Sequence, residues 1–108
     1  MKLWIDDVRP APEGYVWLKS VNSAIREIEA CEWDECASGK IDFQNQIELI
    51  NIDHDAGDWA EFGGDYIKLL DWLEETGRNY PIHIHSMNIV GKMNMEAICR
   101  RNGWTIVE

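Results

Sequence analysis

Three short apolar runs in this 108-residue chain each break off on residues that carry chemistry. Lys2–Ile5 (KLWI) stops at Asp6-Asp7, Ile47–Ile52 (IELINI) at Asp53-His54-Asp55, and Ile82-His83-Ile84-His85 at Ser86. Runs of this length, rich in β-branched residues and bounded by turn residues, read as buried strands. Between them lie segments with helical spacing. Ala24, Ile25, Ile28 and Cys31 form one apolar stripe, with Ser20 or Asn22 as its cap. Tyr66, Leu69, Leu70 and Leu73 form a second, with Asp65 as a cap and Gly77 as a stop. A third helix is expected within Asn88–Arg101, ending at Asn102-Gly103.

The remaining segments complete an alternating order. Val16-Trp17-Leu18 reads as a second strand and Trp104–Val107 as a last one, giving five. The Arg9–Gly14 stretch holds two prolines and a glycine and excludes a helix from the first crossover. Ser38–Gln46 and Gly57–Gly64 read as loops. Strand–helix alternation predicts a mostly parallel sheet with helices on both faces, in a single domain spanning 1–108. In such a sheet all strand carboxyl ends share one edge, where open α/β sheets bind ligands.

Asp6, Asp7, Asp53 and Asp55 would then crowd into one crevice and repel one another unless a cation sits between them. A hard divalent ion, Mg²⁺ or Mn²⁺, suits all-oxygen ligands and keeps waters for a phosphate. Asp6, Asp7 and Asp53 are the expected ligands, with Asp55 either a fourth ligand or a partner holding one in place. His54 and His85 are the expected proton carriers. His83, two residues earlier on the same strand, is expected to be a hydrogen-bonded structural histidine. Ser86 stands where a strand turns into a helix, suited both to capping the helix and to holding a phosphoryl oxygen. Asn88, Lys92 and Arg9 are further phosphate- or substrate-binding candidates. Each of these Asp, Ser and Asn positions also suits an ordinary turn or cap; the coincidence of three such segments favours a site.

Composition narrows the partners. Twenty acidic against ten basic side chains leave a net charge of −10, which repels duplex nucleic acid. A small phosphate-bearing ligand met by local cations is compatible with that charge. No apolar run approaches the ~18 residues of a membrane span, and the four apolar residues before Asp6 do not make a signal peptide. Cys31, Cys36 and Cys99 have no metal-ligand spacing and read as reduced thiols, Cys31 and Cys99 in the core, as in a cytoplasmic protein.

Taken together, LWIDDVRPAPEGY, IDHDAG and IHSMNIVGKMNM resemble the cyclic-phosphate processing receiver-like domains, relatives of response-regulator receivers. The resemblance covers nearly the whole chain. It implies a receiver-like, flavodoxin-like three-layer sandwich around a mostly parallel five-stranded sheet, with the first crossover helix replaced by a loop. The activity it implies is on cyclic phosphate esters of nucleotides or RNA ends. The family's acidic pair falls on Asp6 and Asp7, its Asp-His-Asp motif on Asp53, His54 and Asp55, and its His-Ser motif on His85 and Ser86. Asp53 and Ser86 accordingly join the two histidines as catalytic candidates. Two departures, Ala56 before Gly57 and Phe62-Gly63-Gly64 before Asp65, fall in the loop over the site. A phosphoaccepting receiver also needs a lysine after its fifth strand, and no lysine follows Trp104–Val107 here. A metal-dependent phosphoesterase is therefore the leading expectation. The alternative is a non-enzymatic receiver-like signalling or phospho-ligand binding module.

Overall fold

The computed structural model describes residues 1–38 and 47–108, with side chains described for residues 1–32 and 47–108. In chain order the elements are β1 (Lys2–Ile5), β2 (Tyr15–Leu18), α1 (Val21–Ser38), β3 (Leu49–Ile52), a 3-10 helix (Gly57–Phe62), α2 (Ile67–Glu75), β4 (Ile82–Ile84) and α3 (Ile89–Asn102). The strands form one parallel sheet in the order β2-β1-β3-β4. The expected loop between Ser38 and Gln46 lies, beyond Ser38 itself, outside the described residues, as does the side chain of Cys36.

Topology decides where the helices go. From β2 the chain passes over β1 to reach β3, and from β3 it steps on to β4. Both moves run the same way across the sheet, so right-handed crossovers lay α1 and α2 on the same face. α3 packs beside α2 and against β4. Leu3, Ile5, Ile50, Ile52, Ile82 and Ile84 point into that layer and join Ala24, Ile28, Leu69, Leu70, Leu73, Met95 and Ile98 in one buried cluster. The alternate strand residues, Trp4, Tyr15, Trp17 and Leu49, neither belong to that cluster nor pack on it. The fold is thus two layers, and the expectation of helices on both faces is corrected. The helix that would cover the second face belongs to the β1–β2 crossover, and Pro10, Pro12 and Gly14 exclude one there. Indole N–H groups fasten that crossover instead: Trp4 Nε1 donates to Arg9 O and Trp17 Nε1 to Asp6 O, both at 2.8 Å.

The fifth strand is also corrected. Of Trp104–Val107 only Ile106 bridges the sheet, pairing with Ile82, flanked by the Ile82 N→Thr105 O and Val107 N→Ile82 O bonds. β4 is three residues long, so a neighbour has little ladder to extend. The sheet among the described residues has four strands.

Local choices explain the helix ends. Ser20, rather than Asn22, caps α1 by accepting from Ser23 N at 3.1 Å. Asp65 does not cap α2; its carboxylate accepts from Ala56 N at 3.1 Å and ties the β3–α2 connection to itself. Gly77, at φ +70°, takes the left-handed position after α2. Asn88, rather than Ser86, caps α3, accepting from Gly91 N at 2.9 Å. Glu32 of α1 receives Arg78 Nε and Nη2, each at 2.8 Å, and the Tyr80 hydroxyl, pinning α1 to the segment before β4. Cys31 and Cys99 are buried as thiols, as expected, and burial pushes the Cys99 thiol up to about 11. No helix among the described residues is long and apolar enough to cross a membrane.

Tyr66 links this core to the strand ends. It is fully buried, and its hydroxyl donates to Lys19 O at 2.7 Å, just past β2. Tyr66→Phe removes only that hydroxyl and leaves a carbonyl short of a partner. Urea denaturation should show a loss of about 1 kcal/mol with an unchanged slope.

Candidate active site

The register of the sheet assembles the site. Ile5 pairs with Ile52 and Ile52 with Ile84, so the residues that follow, Asp6, Asp53 and His85, stand side by side. One ligand atom from each lies within 4.8 Å of the others.

Asp6 is completely buried, and both its oxygens are engaged. Oδ1 accepts from Val8 N at 3.0 Å and Arg9 N at 2.9 Å, which turns the chain sharply out of β1. Oδ2 accepts from His85 Nε2 at 2.8 Å. Burial alone would raise this carboxyl, but the Arg9 and Val8 amides and the His85 ring outweigh it and hold Asp6 below the usual range.

His85 is held on every side. Nδ1 contacts Asn51 Oδ1 at 2.5 Å, and the ring stacks on the Trp4 indole at 4.1 Å between centroids and 5° between planes. Its carbonyl accepts from Arg9 Nη1 at 3.2 Å, so Arg9 bridges the first loop to the end of β4. His83 is structural, as expected: Nδ1 pairs with Val107 O at 2.7 Å.

Asp7 and Asp53 are half-buried and near enough for the charge of Asp53 to act on Asp7. Burial raises the Asp7 carboxyl, and the charges of Asp6 and Asp53 push it further. The start of the 3-10 helix closes over Asp7: a Cβ at Gly57, where φ is +56°, would stand 2.5 Å from Asp7 Oδ2. Only glycine allows that approach. Asp53 Oδ1 accepts from His54 N at 2.8 Å.

His54 projects towards α3. Its Nδ1 donates to Asp55 Oδ1 at 2.8 Å, and its ring lies so close to Gly91 that a Cβ there would meet ring atoms at 2.5 Å. Asp55 reaches the capping residue, receiving Asn88 Nδ2 at 3.5 Å, while Ser86 Oγ accepts from Asn88 N at 3.1 Å. Asp6, Asp7, Asp53, His54, Asp55, His85, Ser86, Asn88 and Arg9 therefore gather along the strand carboxyl ends. Lys92 does not join them. It lines a separate groove of about 310 Å3 with His83, Glu96, Ile106 and Val107: Gly91 is the residue that faces His54, and the step of roughly 100° to the next residue turns Lys92 to another side of α3.

Several contributors have little sequence signal. Asn51 is 8% exposed inside an apolar run, and a polar side chain at a buried strand position is the one hint it offers. Trp4 looks like an ordinary strand aromatic until the fold lays it against His85. Gly57 looks like a loop glycine until Asp7 comes up beneath it.

The crowding around Asp7 has a measurable consequence. Because its folded pKa is raised, protonation of Asp7 favours the fold. That contribution is complete below the unfolded value of 3.8 and is lost as pH rises through the folded value. Asp7→Asn should therefore raise the metal-free melting temperature by a few degrees at neutral pH. The gain should vanish in acid, which a pair of thermal melts across pH would show.

The model of the Cyclic-phosphate processing Receiver domain family matches residues 1–101. No curated protein and no solved structure matches the chain significantly. The matched span takes in the four strands, α1, α2, all of α3 but its last residue, and every residue of the strand-end cluster. With an acidic pair after β1, Asp-His-Asp after β3 and His-Ser after β4 on a parallel receiver-like sheet, the chain belongs to the cyclic-phosphate processing receiver domain family.

Proposed function

We propose that this domain is a metal-dependent phosphoesterase that opens a cyclic phosphate of a nucleotide or RNA end. The observation that carries this reading is the packing of Asp6, Asp53 and His85 within 4.8 Å, with Asp7 destabilised as an anion beside them. A set of crowded carboxylates fits a divalent cation, Mg²⁺ or Mn²⁺, whose charge removes the repulsion. Asp7 and Asp53, both half-buried, would hold it. Asp6 would complete the set or keep His85 in place, and Asp55 would support from outside. When bound, the ion supplies Lewis-acid polarisation of the phosphoryl group.

The chain's own groups divide the remaining work. Asp55 fixes the His54 ring through Nδ1, which leaves Nε2 to take a proton from water. The Asp6–His85 pair holds a proton at Nε2, which His85 would hand to the leaving oxygen on letting go of Asp6. The Ser86 hydroxyl and Asn88 amide group sit at the mouth beside α3, where phosphoryl oxygens would be received. Arg9, with one guanidinium nitrogen on His85 O, adds a positive charge.

Two measurements test this. Calorimetry with Mg²⁺ and Mn²⁺ should show binding and a raised melting temperature in the wild type, both lost in Asp53→Ala. An equal response in the two proteins would remove the metal assignment. The second measurement is turnover of cyclic nucleotides and RNA cyclic-phosphate ends. His54→Gln and His85→Gln should each cost about 10²–10⁴ in turnover, whereas His83→Gln should act through stability. Undiminished turnover in both of the first two variants would leave a binding module as the better reading.

A further inference from the structure

Among the described residues, two exposed aromatic side chains stand on the short helix beside the acidic cluster. Trp59 and Phe62 are 38% and 45% exposed, with ring centroids 5.6 Å apart and planes tilted by 44°. Both lie on the 3-10 helix that begins at Gly57, whose backbone abuts the Asp7 carboxylate. Two exposed aromatic rings are therefore carried on the short element that closes over the acidic cluster.

A cation accompanies them. Lys19 Nζ lies 4.5 Å from the Trp17 ring centroid and 5.7 Å from that of Trp59. Its carbonyl is anchored by the Tyr66 hydroxyl at 2.7 Å, so the lysine starts from a fixed backbone. A lysine over an indole face holds the ring by cation–π attraction. The same helix carries exposed Asp58 and Glu61, which disfavour a run of phosphates across it. An uncharged, flat, polarisable ring is the ligand these features accept: aromatic rings to stack on, a cation beside one of them, and acidic neighbours that disfavour a polyanion. The exposed residues on the α3 side of the mouth, Met87, Ile89, Val90 and Met93, offer no stacking face.

We infer that Trp59 and Phe62 form the nucleobase subsite of this centre, with Lys19 holding the Trp59 indole in position. The inference rests on the phosphoesterase reading for its substrate, a nucleoside cyclic phosphate. It adds that affinity comes from the base as well as from the phosphate. Stacking tolerates any base, so the subsite selects nucleosides over simple sugar phosphates without choosing strongly among bases.

The test compares two substrates in each protein. Nucleoside cyclic phosphates of adenosine and uridine are set against the matching methyl ribofuranoside cyclic phosphate, which has no base. The full chain is assayed with Mg²⁺ or Mn²⁺. In the wild type the ratio of kcat/KM, nucleoside over base-free, should be about 5- to 100-fold, the range of one base–aromatic stack. In the Trp59→Ala/Phe62→Ala double variant the ratio should fall towards one. Both side chains are exposed, so the variant should fold, which circular dichroism checks. A wild-type ratio near one, or an unchanged ratio in the folded double variant, overturns the subsite. A second measurement separates the two readings: titration with adenosine monophosphate, followed through the Trp59 indole N–H in NMR spectra. A saturable Trp59 shift without turnover of any cyclic phosphate would sink the phosphoesterase reading and leave the subsite standing. If neither turnover nor a Trp59 shift is seen, both fall.

Discussion

The hydrogen bond between Asp6 and His85 is the contact on which the site's arrangement depends. It joins the ends of β1 and β4, which are separated in the sheet by β3. Asp6 spends its other oxygen on the Val8 and Arg9 amides, so the same carboxylate that anchors the histidine also starts the first crossover. A fully buried carboxylate is tolerated only when such partners replace water. Three do so here, and their combined pull outweighs the burial that opposes ionisation. Truncating Asp6 would unfasten the crossover and the histidine together.

The uncovered sheet face follows from the same crossover. Two prolines and a glycine deny it a helix, and among the described residues no helix packs on Trp4, Tyr15 and Trp17. These aromatics take up other work: the indole N–H groups hold backbone carbonyls of the crossover, and the Trp4 ring lies flat on His85. A helix in that place would compete with Trp4 for the histidine face. Loss of a layer and immobilisation of a site histidine are two results of one local composition.

Opposite electrical characters meet along the strand ends. Asp6 is stabilised as an anion by donors, while Asp7 next to it is destabilised by burial and by its acidic neighbours. The first suits a positioning group and the second suits a cation ligand. Glycines set the distances: Gly57 lets the 3-10 helix close on Asp7, and Gly91 lets α3 close on His54. Neither approach leaves room for a methyl group.

Much of this was legible in the residues alone. Apolar runs that halt on Asp6-Asp7, Asp53-His54-Asp55 and His85-Ser86 determine a parallel α/β domain with those groups at one edge, because strand ends in a parallel sheet coincide whatever the loops do. The prolines and glycine of Arg9–Gly14 likewise determine a crossover without a helix, since a missing N–H and a fixed φ act locally. What only the tertiary structure decided are the relations between distant residues. Strand order put α1 and α2 on one face; the shortness of β4 reduced the fifth strand to a single bridge; the packing of Gly91 on His54 turned its neighbour Lys92 to another side of α3. The partners of His85, namely Asn51 and Trp4, come from strands 34 residues away for Asn51 and further still for Trp4, so no local pattern marks them. Periodicity reports which face a side chain takes; only the register of neighbouring strands reports what it meets there.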